Sequence, residues 1–332
     1  MSRTTELSFI SYLIGVLALC SGAYGGGRQS AIKAVGDRLS QIQNVKAIYE
    51  MDVDRTPPSP ALRDFLRKTM ATFRKKHPGA IVGPPMEGHY EYRCQFSFLN
   101  GSARYEQIAL SHKAIALGPL KEVQTETPQR VEKFFPPKMG VILVQAGPVA
   151  TMPISLALGL RPLSHRHWLW VRRRQIDRMA YLQMRGGRFS LTQKTARGFE
   201  YCWIFRPKPT LRLVAFKGYY KLPASDIRWQ YVRARFSDFH TVASLSLPGR
   251  AEVTLFGSPR FPGPLCRYLL KRIAYTVGAH ANTPMRYFIV WPRGCTVIDE
   301  RIDHVFHINR PTILSDKEIF RRLKKLDNTK ER

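Results

Sequence analysis

Tyr90-Glu91-Tyr92-Arg93-Cys94-Gln95-Phe96-Ser97-Phe98 is the stretch on which the fold turns. Its rings and its thiol all fall at even positions, with Glu91, Arg93, Gln95 and Ser97 between them, which is the period-2 alternation of a strand with one buried face. Asn100-Gly101 follows closely and tolerates positive φ at both turn positions, so Ala103–Leu110 is predicted to return as the partner strand of a two-residue hairpin.

The same alternation extends outward. On the N-terminal side Val45, Ala47, Tyr49, Met51 and Val53 alternate with Lys46, Ile48, Glu50 and Asp52 until Pro57-Pro58 stops the strand. Ahead of it, Ile32, Val35, Leu39 and Ile42 share one face of a helix over 30–43, with Ser30 as its N-cap. A second helix over 61–75 is expected to turn Leu62, Phe65, Leu66, Met70 and Phe73 to the core. On the C-terminal side strands are expected at 141–145, 179–184, 189–193, 201–205, 211–216, 229–236, 251–256 and 269–277, with 117–139 and 257–265 as Pro/Gly loops. Ser315 and Glu318 form a capping box for a basic terminal helix presenting Ile319, Phe320, Leu323 and Leu326. Helices first and then many closely spaced strands specify an α+β protein, a curved antiparallel β-sheet of roughly nine or more strands wrapping the N-terminal helices.

Composition agrees with a packed body: 44% hydrophobic and 23% charged residues is ordinary globular usage. The net charge of +29 is not ordinary, and it predicts affinity for polyanions without naming one. Between Lys133 and Lys221 there are 17 Lys/Arg against Asp177 and Glu200 alone, interleaved with Trp168, Trp170, Tyr181, Phe189, Trp203 and Phe205. Such a stretch can hold phosphates while its rings stack or sit among headgroups. The plainer alternative is the solvated outer face of a sheet. Trp168 and Trp170, flanked by Arg166, Arg172, Arg173 and Arg174, are the candidates for docking on an anionic surface.

The first residues read as an address. Leu7–Cys20 is an uncharged apolar run followed by Ser21, Gly22, Ala23, Tyr24 and Gly25, the pattern of a cleaved secretory signal over 1–25, with a retained N-terminal anchor as the alternative. Export to the periplasm or cell envelope follows from either. Of five cysteines, Cys94, Cys202, Cys266 and Cys295 remain beyond that segment; they allow one or two disulfides or buried free thiols, and no C-x-x-C is present.

Three stretches carry a resemblance: Leu158-Gly159-Leu160-Arg161-Pro162; Phe236-Ser237-Asp238-Phe239 with a proline-marked turn at Leu247-Pro248; and Phe288-Ile289-Val290-Trp291-Pro292-Arg293-Gly294-Cys295-Thr296-Val297-Ile298-Asp299-Glu300. With the order of elements, they resemble the outer-membrane lipoprotein carrier (LolA/LolB-like) superfamily over most of 30–308. That resemblance implies an incomplete barrel over residues 26–308 with helices as a lid, a basic helix or tail over 309–332, and an apolar cavity that accepts acyl chains. The expected function is non-enzymatic binding of a lipid or lipidated protein by a monomer; a basic module holding anionic lipid, glycan or nucleic acid is the alternative, with nucleic acid the least favoured. Tyr90, Tyr92, Phe96 and Phe98 are the cavity candidates, and their alternative is plain packing beneath the first helix.

No catalytic set, cofactor or metal site is assigned. G-x-S-x-G, H-E-x-x-H, Walker and G-x-G-x-x-G patterns are absent. His165 and His167 lie in an arginine field that opposes a dication, and Asp299, Glu300 and Asp303 near His304 and His307 are expected to ion-pair with Arg301.

Overall fold

A computed structural model describes residues 27–330 except 58, 77–86, 100–101, 112–120, 128–129, 144–151, 161–175, 197, 222–226, 261, 279–280 and 282–287. In chain order the elements are α1 (Gly27–Gln41), β1 (Asn44–Arg55), α2 (Pro60–Lys76), β2 (Gly88–Leu99), β3 (Ser102–Ala109), β4 (Lys121–Glu126), β5 (Val131–Phe135), β6 (Met139–Leu143), α3 (Met152–Leu158) and β7 (Ala180–Met184). They continue with β8 (Arg188–Lys194), β9 (Phe199–Arg206), β10 (Arg212–Lys221), β11 (Arg228–Val242), β12 (Leu245–Phe256), β13 (Pro264–Val277), β14 (Thr296–Asp299), β15 (His304–His307) and α4 (Asp316–Lys330). Among the described residues all the strands join one 15-stranded sheet in the order β15-β14-β6-β5-β4-β3-β2-β1-β13-β12-β11-β10-β9-β8-β7. Among the described residues no helix is long and apolar enough to cross a membrane.

The strand alternation translates directly into register. Val45, Ala47, Tyr49, Met51 and Val53 on β1 stand opposite Phe98, Phe96, Cys94, Tyr92 and Tyr90 on β2, and all but half-buried Tyr92 are buried. Leu99 pairs with Ser102, as a two-residue connection requires; Asn100 and Gly101 themselves lie outside the described residues. A second two-residue hairpin, Ala243-Ser244, joins β11 to β12 with φ of 46° and 67°, the positive pair of a type I′ turn without any glycine.

Several expectations are corrected. Residues 117–139 are not simply loop: β4, β5 and part of β6 lie there. On β4, Val123 and Thr125 are buried on one face and Gln124 and Glu126 on the other, so the polar–apolar alternation that marks a half-buried strand never arises. Ser30 lies inside α1 and does not cap it. In α2 the cap is Ser59, whose Oγ accepts from Leu62 N at 3.3 Å, but Phe65 is 41% exposed beneath the Arg260 guanidinium instead of reaching the core. Pro248 sits within β12 opposite Phe239 and marks no turn. One pair, β6 with β14, is parallel in an otherwise antiparallel sheet. Helix α3 was not foreseen: it is buried on every side, with Ile154, Ser155, Leu156, Ala157 and Leu158 fully buried, so it has no helical periodicity to read.

The two faces of the sheet carry different cores. Register places Gln124 and Glu126 on the face of Ala103, Phe96 and Phe98, which belongs to the main core under α1 and α3. Val123 and Thr125 point the other way, with Phe134, Gly140, Ile142 and Val297, toward a second core closed by Trp291, Leu314 and Ile319 of the C-terminal segment. A buried ionic network anchors that segment. Arg130, 3% exposed, pairs with Glu132 at 2.5 Å and donates to Leu314 O, while Glu132 accepts from Ile289 N at 2.6 Å. Arg130 and Arg301 both reach Asp316 at the start of α4, and Arg301 also forks onto buried Asp299 as its spacing predicted.

Candidate functional site

Tyr90, Phe96 and Phe98 are at most 2% exposed and belong to the main core. Their neighbourhood ends in a buried polar chain: Cys94 Sγ meets Tyr105 OH at 3.3 Å, Tyr105 OH donates to Gln107 at 2.9 Å, and Gln107 Nε2 donates to Glu122 at 2.8 Å. Burial pushes the Cys94 thiol up to about 12 and, four residues further along β4 from Glu122, the Glu126 carboxyl up to about 8. Cys94, Cys202, Cys266 and Cys295 are all free thiols.

A cavity of about 10 Å³, room for about one water molecule, lies elsewhere, between α1 and strands β8 and β9. Val35 and Leu39 of α1 form its roof, Leu191, Trp203 and Phe205 its floor, and Gly159, Ile176 and Met179 its sides. None of Tyr90, Tyr92, Phe96 and Phe98 lines it. The signal that could have found the floor is the run Tyr201, Trp203 and Phe205 on β9, which repeats the period-2 pattern of β2 more briefly. No local pattern could have shown that Val35 and Leu39 lie opposite it.

One polar side chain enters this apolar site. Arg38 follows Val35 by one turn of α1, on the buried side, and is 4% exposed. Its Nη1 donates to Ser246 O at 2.9 Å, pinning the helix to the hairpin end of β12. Its Nε and Nη2 are buried without a hydrogen-bond partner, and so is Nε1 of Trp203 on the opposite wall. Burial lowers the Arg38 pKa to about 10, which leaves the guanidinium a cation at neutral pH. Two further contacts hold α1: Arg28 Nη2 donates to Asp177 O at 2.8 Å, and Ser244 Oγ donates to Gln41 at 3.5 Å.

Arg166, Trp168, Trp170, Arg172, Arg173 and Arg174 lie outside the described residues, as do His165, His167, His280 and residues 1–25. Sequence reading missed the one described grouping of metal-type donors, Asp52, His89 and Glu91, whose ligand atoms lie within 4.8 Å of one another. Lys271 already occupies Asp52, and Asp54 holds His89 at 2.6 Å and raises its pKa, so these groups neutralise one another on an exposed surface.

No protein-family model and no curated protein matches the chain. Among solved structures it is similar to a DUF1329 family protein from Desulfovibrio piger, with TM-score 0.42 and 12% identity over 77% of this chain and 95% of that one. It is also similar to a LolA superfamily protein from Nitrosomonas europaea, with TM-score 0.42 and 8% identity over 76% of this chain and 94% of that one.

Proposed function

We propose that the chain is an exported, non-enzymatic protein that binds an apolar ligand, an acyl chain or a lipidated partner, between α1 and an incompletely closed barrel formed by its sheet. The observation that carries this reading is the cavity under α1, whose walls are apolar except for Arg38 and the indole nitrogen of Trp203. At about 10 Å³ the cavity admits no acyl chain as it stands, so occupancy requires α1 to lift from β8 and β9. Among the described residues the polar ties of α1 to the body are few, while its apolar contacts would be replaced by those of the ligand. In this reading residues 1–25 are the export signal or anchor and the body acts in the periplasm or cell envelope. Native mass spectrometry and solvent extraction of the purified full-length protein should show a co-purifying lipid or oleate uptake. Protein that stays empty, with a melting temperature that oleate does not move, overturns the reading.

A specific observation favours a second reading, electrostatic attachment to an anionic lipid or glycan surface. Among the described residues Lys217, Arg233, Arg235 and Arg250 have no ion pair, and register places Lys217, Arg233 and Arg235 on the outer face of β10 and β11. Binding of that kind falls steeply with salt, whereas uptake of an acyl chain does not. One titration at two ionic strengths separates the two.

A further inference from the structure

We propose that Arg38 and Trp203 form a head-group anchor, so that the ligand of the cavity is a long-chain carboxylate and not a neutral lipid. This deepens the apolar-ligand reading and rests on it. The two free nitrogens of Arg38, Nε and Nη2, lie on the same edge of the guanidinium, and that edge is the fork that a carboxylate accepts with both oxygens. Nη1, the remaining nitrogen, is the one engaged with Ser246 O, so the tie to the sheet fixes the orientation of the free edge. Trp203 adds a third donor from across the cavity, and indole nitrogen can only donate. Among the residues that line the cavity the polar side-chain groups are donors, one of them on a cation, and they call for an anion. The buried Tyr275 hydroxyl, which interacts with Arg38 but does not line the cavity, is neutral and cannot balance its charge. A neutral head would leave the buried charge uncompensated, which is costly in an apolar site. Val35, Leu39, Ile176, Met179, Leu191 and Phe205 supply the surface for the methylenes. The structure thus joins a cationic fork to an apolar wall, the two parts of a fatty-acid site.

The test uses the full-length protein with dodecanoate, dodecanol and acetate, measured by calorimetry at pH 7. Dodecanoate should bind about tenfold or more tightly than dodecanol, the ratio expected of hydrogen bonds to a charged group. Acetate should bind far more weakly than dodecanoate, because it lacks the chain. Arg38→Met, which keeps the apolar stem and removes the charge, should abolish the preference for dodecanoate over dodecanol. Trp203→Phe should weaken dodecanoate several-fold, and it serves as the test if Arg38→Met fails to fold by circular dichroism. Equal binding of the two C12 ligands, or a preference that survives the substitution, overturns the anchor but leaves the apolar-ligand reading standing. Acetate binding as tight as dodecanoate also overturns it, because the site would then hold only a small anion. Absence of binding by both C12 ligands overturns the reading itself, and the anchor with it.

Discussion

Gly140 shows how little room a single residue can have. A Cβ built there would lie 1.9 Å from Trp291 Cζ3, and Trp291 is fully buried with Phe134 edge-on at 5.9 Å. Gly140→Ala should therefore displace the indole and cost about 1–3 kcal/mol, the usual penalty of overpacking. Urea unfolding followed by tryptophan fluorescence checks this. Glu126 has a different constraint. It is 2% exposed, Gln124 donates to one of its oxygens, the other has no partner, and burial raises its pKa from 4.5 to about 8. Below about 4.5 the folded and unfolded states both hold the proton; between 4.5 and 8 only the folded state does, so rising pH favours unfolding until the folded group ionises. The wild type should lose up to about 1.4 kcal/mol per pH unit across that window, and Glu126→Gln should flatten the slope. Thermal melts at pH 5 and pH 9 decide it: a variant no more resistant than wild type at pH 9 refutes the assignment.

At the scale of elements, the C-terminal segment closes the second core through charge as well as apolar contact. Arg130 and Glu132 are 3% and 1% exposed, and removing one leaves the other buried without its counter-ion. Arg130→Ala should cost about 3–5 kcal/mol, while Arg130→Met combined with Glu132→Leu should recover most of it, because a packed apolar pair can replace a buried ionic one. Equal losses in the single and double variants would mean that Leu314 and Ile319, and not the ions, hold α4. Neither partner stood out in the sequence. Both lie in the stretch read as loop, and a buried charge is recognised only by what tertiary structure places beside it. Residues 296–299 lie in a stretch that carried the family resemblance, but their parallel pairing with β6 was not legible, because local sequence carries no information on strand direction.

For the whole molecule, the charge and the thiols set the predictions. Cys94, Cys266 and Cys295 are buried free thiols, so they should react with a thiol reagent only after unfolding, and a reductant should leave the melting temperature unchanged. A reductant-dependent shift would show that a disulfide forms in solution. Charge reversal of Arg172, Arg173 and Arg174 together should weaken binding to anionic vesicles by about 1 kcal/mol per residue, with an unchanged circular dichroism spectrum. Vesicle binding that ignores the three substitutions would leave the outer face of β10 and β11 as the place to look.

Sequence by itself determined which faces are buried and where most elements lie, because period 2 on Tyr90–Phe98 and Val45–Val53 and period 3.6 on α1 are properties of adjacent residues. It also specified the return at Leu99–Ser102, since turn chemistry is local. Tertiary structure alone decided that β1 lies between β2 and β13, that polar β4 and its neighbour β5 belong to the sheet, and that a second core forms on the opposite face. It alone brought Arg38 of α1 to the same cavity as Trp203 of β9. The physical reason is the same in each case. Alternation reports that a side chain leaves water, but the group it meets there is chosen by the pairing of distant segments, and for Arg38 and Trp203 that pairing leaves three buried donor nitrogens without a hydrogen-bond partner on residues that line one apolar cavity.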